Sequence, residues 1–353
     1  MGVQSSRPTY DPARDIPDLT GRVFLVTGAY SGIGYETTKH LAVHGATVYL
    51  AVRSKSRAEA AVAKLEKDAP GAKGGDRLRI LLVDLASAHS IVRAAVEFKR
   101  REKKLDVLVH NAGRLTNVYK LSPEGVELTV AVNHLGVALL TKELMPVLKS
   151  TALQSESDVR IVVVSPISLY RSANTNRDSS AKVSSMSHMY GPLRPNFGTL
   201  DEWNAYGGYT SDLLHIIRHQ RYAMTKRMNL LWTLHQQKLL DEEKIPITVM
   251  SLHPGFILTG ALIDTQPWWL TLSGRLGLAM TQEKGAHTTL FSATSPRVSE
   301  RPDAYKGKYL VPFGKVKQPA IKDAYDPARA AALWEATEKI AAELLTRPEL
   351  AAA

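Results

Sequence analysis

Hydrophobic and polar positions along the chain fall into blocks whose period switches back and forth. Residues 23–26 are a short apolar run of strand length. From Gly32 onward Ile33, Thr37, His40, Leu41 and His44 recur at three- and four-residue spacing, the period of a helix. The exchange then repeats. Further strands are predicted at 47–52, 78–83, 105–110, 159–164 and 247–252, and helices at about 58–67, 87–100, 124–149 and 211–240. Ser87 is placed to cap the 87–100 helix. Strands such as Ile161-Val-Val-Val164 are apolar throughout, as burial on both faces requires. This β–α order predicts an α/β fold: a Rossmann-type, doubly wound parallel sheet with helices on both faces, forming one domain over residues 20–345. Residues 1–19 hold three prolines and no period, and read as an extended lead-in. The rhythm breaks after 166, which marks an insertion over about 167–210.

The first strand stops at Gly28, and Gly32 and Gly34 follow before the helix is under way. Strand, glycine turn and helix start is the arrangement that seats a dinucleotide pyrophosphate. Missing side chains let the backbone approach the phosphates, and the helix N-terminus offers N–H groups and a positive dipole end. About 20 residues after such glycines, an acid would accept from the adenosine ribose hydroxyls and mark NAD. Here Arg53-Ser-Lys-Ser-Arg57 stands there instead, with no acid before Glu59. A guanidinium pairs with a 2′-phosphate, so the expected cofactor is NADP(H).

Several separated segments agree with that reading. Thr27-Gly-Ala-Tyr-Ser-Gly-Ile-Gly34, Asp84-Leu85, His110-Asn-Ala-Gly113, Asn133, Tyr222-Ala-Met-Thr-Lys226 and Pro254-Gly-Phe-Ile-Leu-Thr259 occur in this order. Together they resemble the short-chain dehydrogenase/reductase family, and within it the retinol-dehydrogenase-like reductases, over about residues 20–262. The resemblance implies that Tyr222 exchanges a proton with a carbonyl or alcohol oxygen, and that Lys226 assists it and binds the nicotinamide ribose. It implies that Asn133 holds a water between the lysine and solvent. It also implies a cofactor site made of Gly28, Ser31, Gly32, Ile33, Gly34, Arg53, Asp84, Leu85, Asn111, Ala112, Gly113, Tyr222, Lys226, Pro254, Gly255, Ile257 and Thr259. Tyr222 and Lys226 are four apart, hence on one helix face. A phenol with a pKa near 10 is a poor acid–base group at neutral pH, and a neighbouring ammonium is expected to pull that pKa down.

The pattern departs from the family at one point. The serine that would hydrogen-bond the substrate oxygen is replaced by Pro166, which has neither a side-chain donor nor an N–H. Ser165 and Ser168 flank it, and either is a candidate to take over. The expected activity is that of a ketone or aldehyde reductase, or an alcohol dehydrogenase, on a bulky lipophilic substrate, for which natural-product biosynthesis is a fitting setting. Pro166 keeps a second reading open, a scaffold turned to isomerisation, dehydration or cyclisation. A cofactor-binding regulator without catalysis is a third. The insertion carries Tyr170, Tyr190, Phe197, Trp203, Tyr206 and Tyr209, which suits either an aromatic lid or a packing element. Residues 260–280, with Trp268 and Trp269, match a substrate-side flap.

Composition narrows the partners. The 353 residues are 44% hydrophobic, enough for a large core, and no apolar run reaches the roughly 18 residues of a membrane span. No cysteine is present, so disulfide and thiolate chemistry are excluded. The net charge of +11 invites a nucleic-acid partner, but the basic residues are dispersed among acids. The densest cluster, Lys99-Arg-Arg-Glu-Lys-Lys104, stands where it favours a helix C-terminus, so no nucleic acid is expected. His215 and His219 lack a neighbouring acid for a metal site, and no metal is expected. The first residues lack the apolar stretch of a secretory signal, while Gly2 and Ser6 fit the loose myristoylation pattern. A cytoplasmic monomer or homodimer is expected.

Overall fold

The computed structural model describes residues 10–72, 76–116, 118–165, 197–205, 216–255, 257, 280–319 and 322–347. Its strands are β1 (Val23–Thr27), β2 (Thr47–Val52), β3 (Leu78–Leu82), β4 (Val107–His110), β5 (Val159–Val164), β6 (Ile247–Leu252), β7 (Tyr309–Val311) and β8 (Lys315–Val316). Its principal helices are α1 (Gly32–Val43), α2 (Lys55–Asp68), α3 (Ala88–Arg101), α4 (Gly136–Ala152), α5 (Ile216–Glu242), α6 (Gln282–Thr294) and α7 (Pro327–Thr346). One sheet contains all eight strands in the order β3-β2-β1-β4-β5-β6-β7-β8. Its pairings are parallel except for the last, β7 with β8.

Side chains alternate across a strand, so an apolar strand feeds two cores. Val23 and Leu25 of β1, with Val159, Ile161 and Val163 of β5, join the core beneath α3, α4, α5 and α7. Phe24 and Val26, with Val162 and Val164, join the opposite core beneath α1, α2 and α6. This is the doubly wound arrangement that the apolar runs predict.

Two local features differ from the sequence reading. The lead-in is not simply extended. Asp11 caps a one-turn helix at Pro12–Asp15, and Tyr10 packs edge-on against Phe291 while its hydroxyl pairs with Thr294 Oγ1 at 3.1 Å. The burial of Tyr10, Ile16 and Leu19 in the second core fastens this segment down. The helix predicted from 124 starts at Leu128, because the Glu127 carboxylate caps it by accepting from the N–H groups of Thr129 and Val130. It then passes through a π turn at Ala131–Leu135 before α4. The basic cluster behaves as the dipole argument requires: Lys99, Arg100 and Arg101 occupy the last turn of α3.

The amino ends of the strands are held by charge. Arg160, fully buried on β5, grips Asp158 with two hydrogen bonds and donates to the carbonyls of Ser292 and Ser295, at 3.0 and 2.9 Å. Asp106 accepts from the Val23 N–H at 2.8 Å and lies 3.3 Å from Lys104 Nζ. At the other end, the strand order reverses between β1 and β4. The carboxyl ends of β1 to β6 lead into Gly28, Arg53, Asp84, Asn111, Ser165 and Pro254 in turn, which is where an open α/β sheet places its ligand crevice.

Arg160→Leu leaves Asp158 with Arg22 alone and strips two buried carbonyls of their donor. It is expected to lower the unfolding free energy by about 3 kcal/mol, mainly from the two buried carbonyls left without donors. Chemical denaturation at neutral pH measures this.

Candidate active site

The glycine turn is built on close backbone approach. Gly28 has φ +67°, and a Cβ there would stand 3.1 Å from Ala112 Cα. A Cβ on Gly34 would collide with the Gly28 carbonyl oxygen at 2.4 Å and Asn111 Nδ2 at 2.5 Å. Hydrogen bonds lock the two turns together. Thr27 Oγ1 accepts from the N–H groups of Asn111 and Ala112, both at 3.0 Å, and Asn111 Nδ2 donates to the Thr27 carbonyl at 3.0 Å. Gly32, at φ +59°, has nothing within 4 Å of where its Cβ would be. Ser31 makes no side-chain cap, so the first N–H groups of α1 are not taken up by it. An open helix N-terminus behind a turn without side chains fits a pyrophosphate.

Neighbouring strand ends complete this half of the crevice. Arg53 is exposed at the end of β2 and has no ion-pair partner among the described residues. The Arg57 guanidinium lies 5.8 Å from the centre of the Tyr30 ring in the glycine turn. Asp84 Oδ1 accepts from the Ala86 N–H at 2.9 Å, which shapes the turn after β3. Leu85 is buried, and its carbonyl comes so near α4 that a Cβ on Gly136 would sit 2.6 Å from it.

The second half centres on α5. Lys226 is almost fully buried, and its Nζ donates to the Val164 carbonyl at 3.2 Å. A Cβ on Gly113 would lie 3.5 Å from the same nitrogen. Burial without a carboxylate partner pulls the Lys226 pKa down to about 7. Nζ also lies 5.2 Å from the centre of the Tyr222 ring. The expectation that Lys226 depresses the phenol pKa is not met in the cofactor-free chain. Burial pushes Tyr222 above its ordinary value, so it stays a protonated phenol. Asn133, fully buried in the π turn rather than on a wet face, clamps Arg114. Its Oδ1 accepts from the Arg114 N–H at 2.6 Å, and its Nδ2 donates to the Arg114 carbonyl at 2.9 Å and to Thr225 Oγ1 at 3.2 Å.

Of the two candidate serines, Ser165 is committed elsewhere. It is fully buried, extends the β5–β6 ladder through its N–H to the Leu252 carbonyl, and gives its hydroxyl proton to the Lys226 carbonyl at 3.0 Å. A hydroxyl has one proton to donate. Ser168, Pro166 and Thr259 lie outside the described residues, as do Gly2, the flap over 260–279, and Tyr170, Tyr190, Tyr206, Tyr209 and His215. Phe197 and Trp203 of the insertion are buried in packing roles; the Trp203 indole N–H donates to the Phe197 carbonyl at 3.0 Å and its ring stands edge-on to His134.

Two residues absent from the sequence reading shape the segment after β6. Burial pulls His253 down to about 4, and its neutral Nδ1 accepts from the Gly255 N–H at 2.8 Å, at a point where Gly255 has φ +101°. Gly285 in α6 leaves room for Ile257, since a Cβ there would stand 2.1 Å from Ile257 Cδ1. No single-sequence signal marks either one, because both act through backbone proximity across the fold. Among the described residues, no three His, Asp or Glu side chains gather as a metal site, and no helix is long and apolar enough to cross a membrane.

Comparison with known proteins identifies relatives of the chain. Residues 22–189 match the family model described as short chain dehydrogenase. A short chain dehydrogenase/reductase from Colletotrichum higginsianum is 38% identical over 323 residues, spanning 91% of this chain and 75% of that protein. One from Gibberella zeae is 36% identical, spanning 92% and 83%. A crystal structure of a Mycobacterium paratuberculosis protein aligns with a TM-score of 0.64 at 26% identity, covering 95% of this chain and 98% of that one. The Pseudomonas aeruginosa RhlG/NADP active-site complex shares the fold, with a TM-score of 0.56 at 19% identity, covering 83% and 95%.

The lowered Lys226 pKa has a stability consequence. The unfolded lysine titrates near 10.5 and the folded one near 7, so the folded chain binds fewer protons between those values and gains stability as pH rises through them. Lys226→Met removes the cost of burying the ammonium. The cofactor-free variant is expected to resist urea better than the parent at pH 6, with the advantage shrinking towards pH 10. A constant difference across that range would contradict the buried-ammonium account.

Proposed function

This chain belongs to the short-chain dehydrogenase/reductase family of oxidoreductases, and we propose that it is an NADP(H)-dependent reductase of a ketone or aldehyde on a bulky lipophilic molecule. The observation that carries this reading is the Tyr222–Lys226 pair, with its protonated phenol, beside Gly113 at the carboxyl ends of β4 and β5. When bound, a nicotinamide dinucleotide supplies hydride exchange at its ring. The chain's own residues do the rest. The glycine turn and the N–H groups of α1 hold the pyrophosphate. Arg53 pairs with the 2′-phosphate, and its exposure without a competing carboxylate among the described residues supports NADP(H) over NAD. Asp84 and Leu85 would border the adenine, and Asn111, Ala112 and Gly113 the ribose. Pro254, Gly255 and Ile257 would border the carboxamide, together with Thr259, which lies outside the described residues.

Lys226 would donate to the hydroxyls of a bound nicotinamide ribose, and such contacts would favour its charged form and place an ammonium beside the phenol. Tyr222 then gives its proton to the substrate oxygen, a transfer that the neighbouring ammonium favours by stabilising the phenolate left behind. With the Ser165 proton spent on α5, we assign the substrate-facing hydroxyl to Ser168. The non-redox alternative drawn from Pro166 has no observation in its favour among the described residues.

The test is NADPH oxidation by the purified protein over a panel of ketones, aldehydes and quinones. Turnover that Tyr222→Phe abolishes is the expected result, and no turnover together with no NADPH binding refutes the reading. Arg53→Ala is expected to weaken NADPH binding roughly 10- to 100-fold, the loss of a charge-assisted contact, while leaving NADH binding unchanged. Equal weakening of both would remove the 2′-phosphate assignment. Ser168→Ala is expected to cut kcat by about two to three orders of magnitude, as loss of an oxyanion donor does. Ser165→Ala should act mainly on thermal stability, and the reverse pattern would return the substrate contact to Ser165.

A further inference from the structure

Three residues of α5, at a spacing of four, face the segment between the helix start at Leu128 and α4. Arg221 meets Glu127, with Nε 3.6 Å from Oε1. Thr225 Oγ1 accepts from Asn133 Nδ2 at 3.2 Å. Asn229 Nδ2 donates to the Asn133 carbonyl at 2.8 Å, and its Oδ1 pairs with His134 Nδ1 at 3.2 Å. The π turn at Ala131–Leu135 distorts the helical hydrogen-bond ladder where the Asn133 carbonyl takes this side-chain donor. Tyr222 and Lys226 form the adjacent stripe, one residue round the helix. Whatever sets the rotation of α5 on the 221/225/229 stripe therefore sets the direction in which Tyr222 points.

The Arg221–Glu127 contact is the one ionic rung of this ladder. Both side chains are buried, at 5% and 0% exposure. Glu127 does several jobs at once. Its carboxylate caps Thr129 and Val130 and accepts from Thr129 Oγ1, and its N–H donates to Asn204 Oδ1 at 2.8 Å. Asn204 in turn donates to the Gly125 carbonyl at 2.9 Å. Arg221 also reaches the Thr116 carbonyl at 3.4 Å and lies 5.9 Å from the Tyr119 ring centre. The rung therefore joins the loop after β4, the end of the insertion and the residue immediately before Tyr222. A buried charge left unpaired is costly, so α5 is held to the rotation that keeps the pair together.

We propose that the buried Glu127–Arg221 ion pair is a positioning device for Tyr222, setting the rotation of α5 and coupling it to residues 197–205 of the insertion. The inference rests on Tyr222 as the proton donor of the proposed reaction.

Glu127→Gln keeps a carbonyl oxygen for the cap and removes the charge. Arg221→Lys keeps the charge and shortens the reach. With NADPH and 9,10-phenanthrenequinone as the probe pair, each is expected to lower kcat about tenfold or more, since small misplacements of reacting groups are that costly. The quinone KM and the NADPH Kd should change less than about threefold, because neither residue is placed against cofactor or substrate. The double variant E127Q/R221K should lose no more than the worse single, the mark of two residues acting as one unit. Independently of turnover, 3-fluorotyrosine installed at position 222 should show a shifted or broadened ¹⁹F resonance in E127Q. Should E127Q fail to fold, R221K carries the same comparison. A lowered melting temperature with kcat and the ¹⁹F signal unchanged, or additive losses in the double variant, overturns the proposal. Absence of any NADPH turnover in the parent protein would refute the reductase reading, while the ¹⁹F comparison still decides this one.

Discussion

An ammonium taken out of water loses its hydration and keeps its charge only where oxygen atoms replace that hydration. Lys226 has the Val164 carbonyl at 3.2 Å, at the end of β5, and burial still draws its pKa down to about 7. Much of the site follows from seating this side chain. α5 must cross the carboxyl end of β5, which the Ser165 hydroxyl reinforces by bonding the Lys226 carbonyl. Gly113 lies beside the lysine, where a Cβ would stand 3.5 Å from the nitrogen, at van der Waals contact. Asn133 holds Arg114, the next residue along, by two hydrogen bonds and so fixes the loop after β4. A site that leaves its lysine short of partners is prepared for a ligand with hydroxyls to offer.

The same economy governs the cofactor side of the crevice. Close approach of β1, α1 and the loop after β4 is bought by omitting side chains at Gly28 and Gly34, and the gap is closed by Thr27 and Asn111 bonding across it. These two turns sit on either side of the point where the strand order reverses, so they face one cleft. Away from it, the ionic cluster of Arg160, Asp158, Asp106 and Lys104 steadies the opposite ends of the same strands. One end of the sheet is thus closed by paired charge, and the other is left open for chemistry.

Much of the fold was legible along the chain. The bounds of β2, β5 and β6 coincide with the predicted 47–52, 159–164 and 247–252, because strands buried on both faces are uniformly apolar and end sharply at turn residues. The Ser87 cap was legible for a similar local reason. The start of the helix at Leu128 was not, since Glu127 is a cap only once burial and Arg221 make its carboxylate worth placing there. Nor was the packed lead-in, where Tyr10 gains its place from Phe291 and Thr294, residues far along the chain.

The candidate site divides along the same line. Residue types and their spacing, a matter of the chain alone, were enough to mark the glycine turn, Arg53 and the Tyr222–Lys226 pair, because each depends on local backbone geometry or on a four-residue helical repeat. Which way a side chain spends its hydrogen bond, and which charge form it keeps, depends on neighbours that only folding brings near. So tertiary structure alone decided that Ser165 serves α5, that burial outweighs Lys226 at the Tyr222 phenol, and that Glu127 meets Arg221 beside it. Desolvation and long-range pairing are properties of the assembled interior, and no window of sequence contains them.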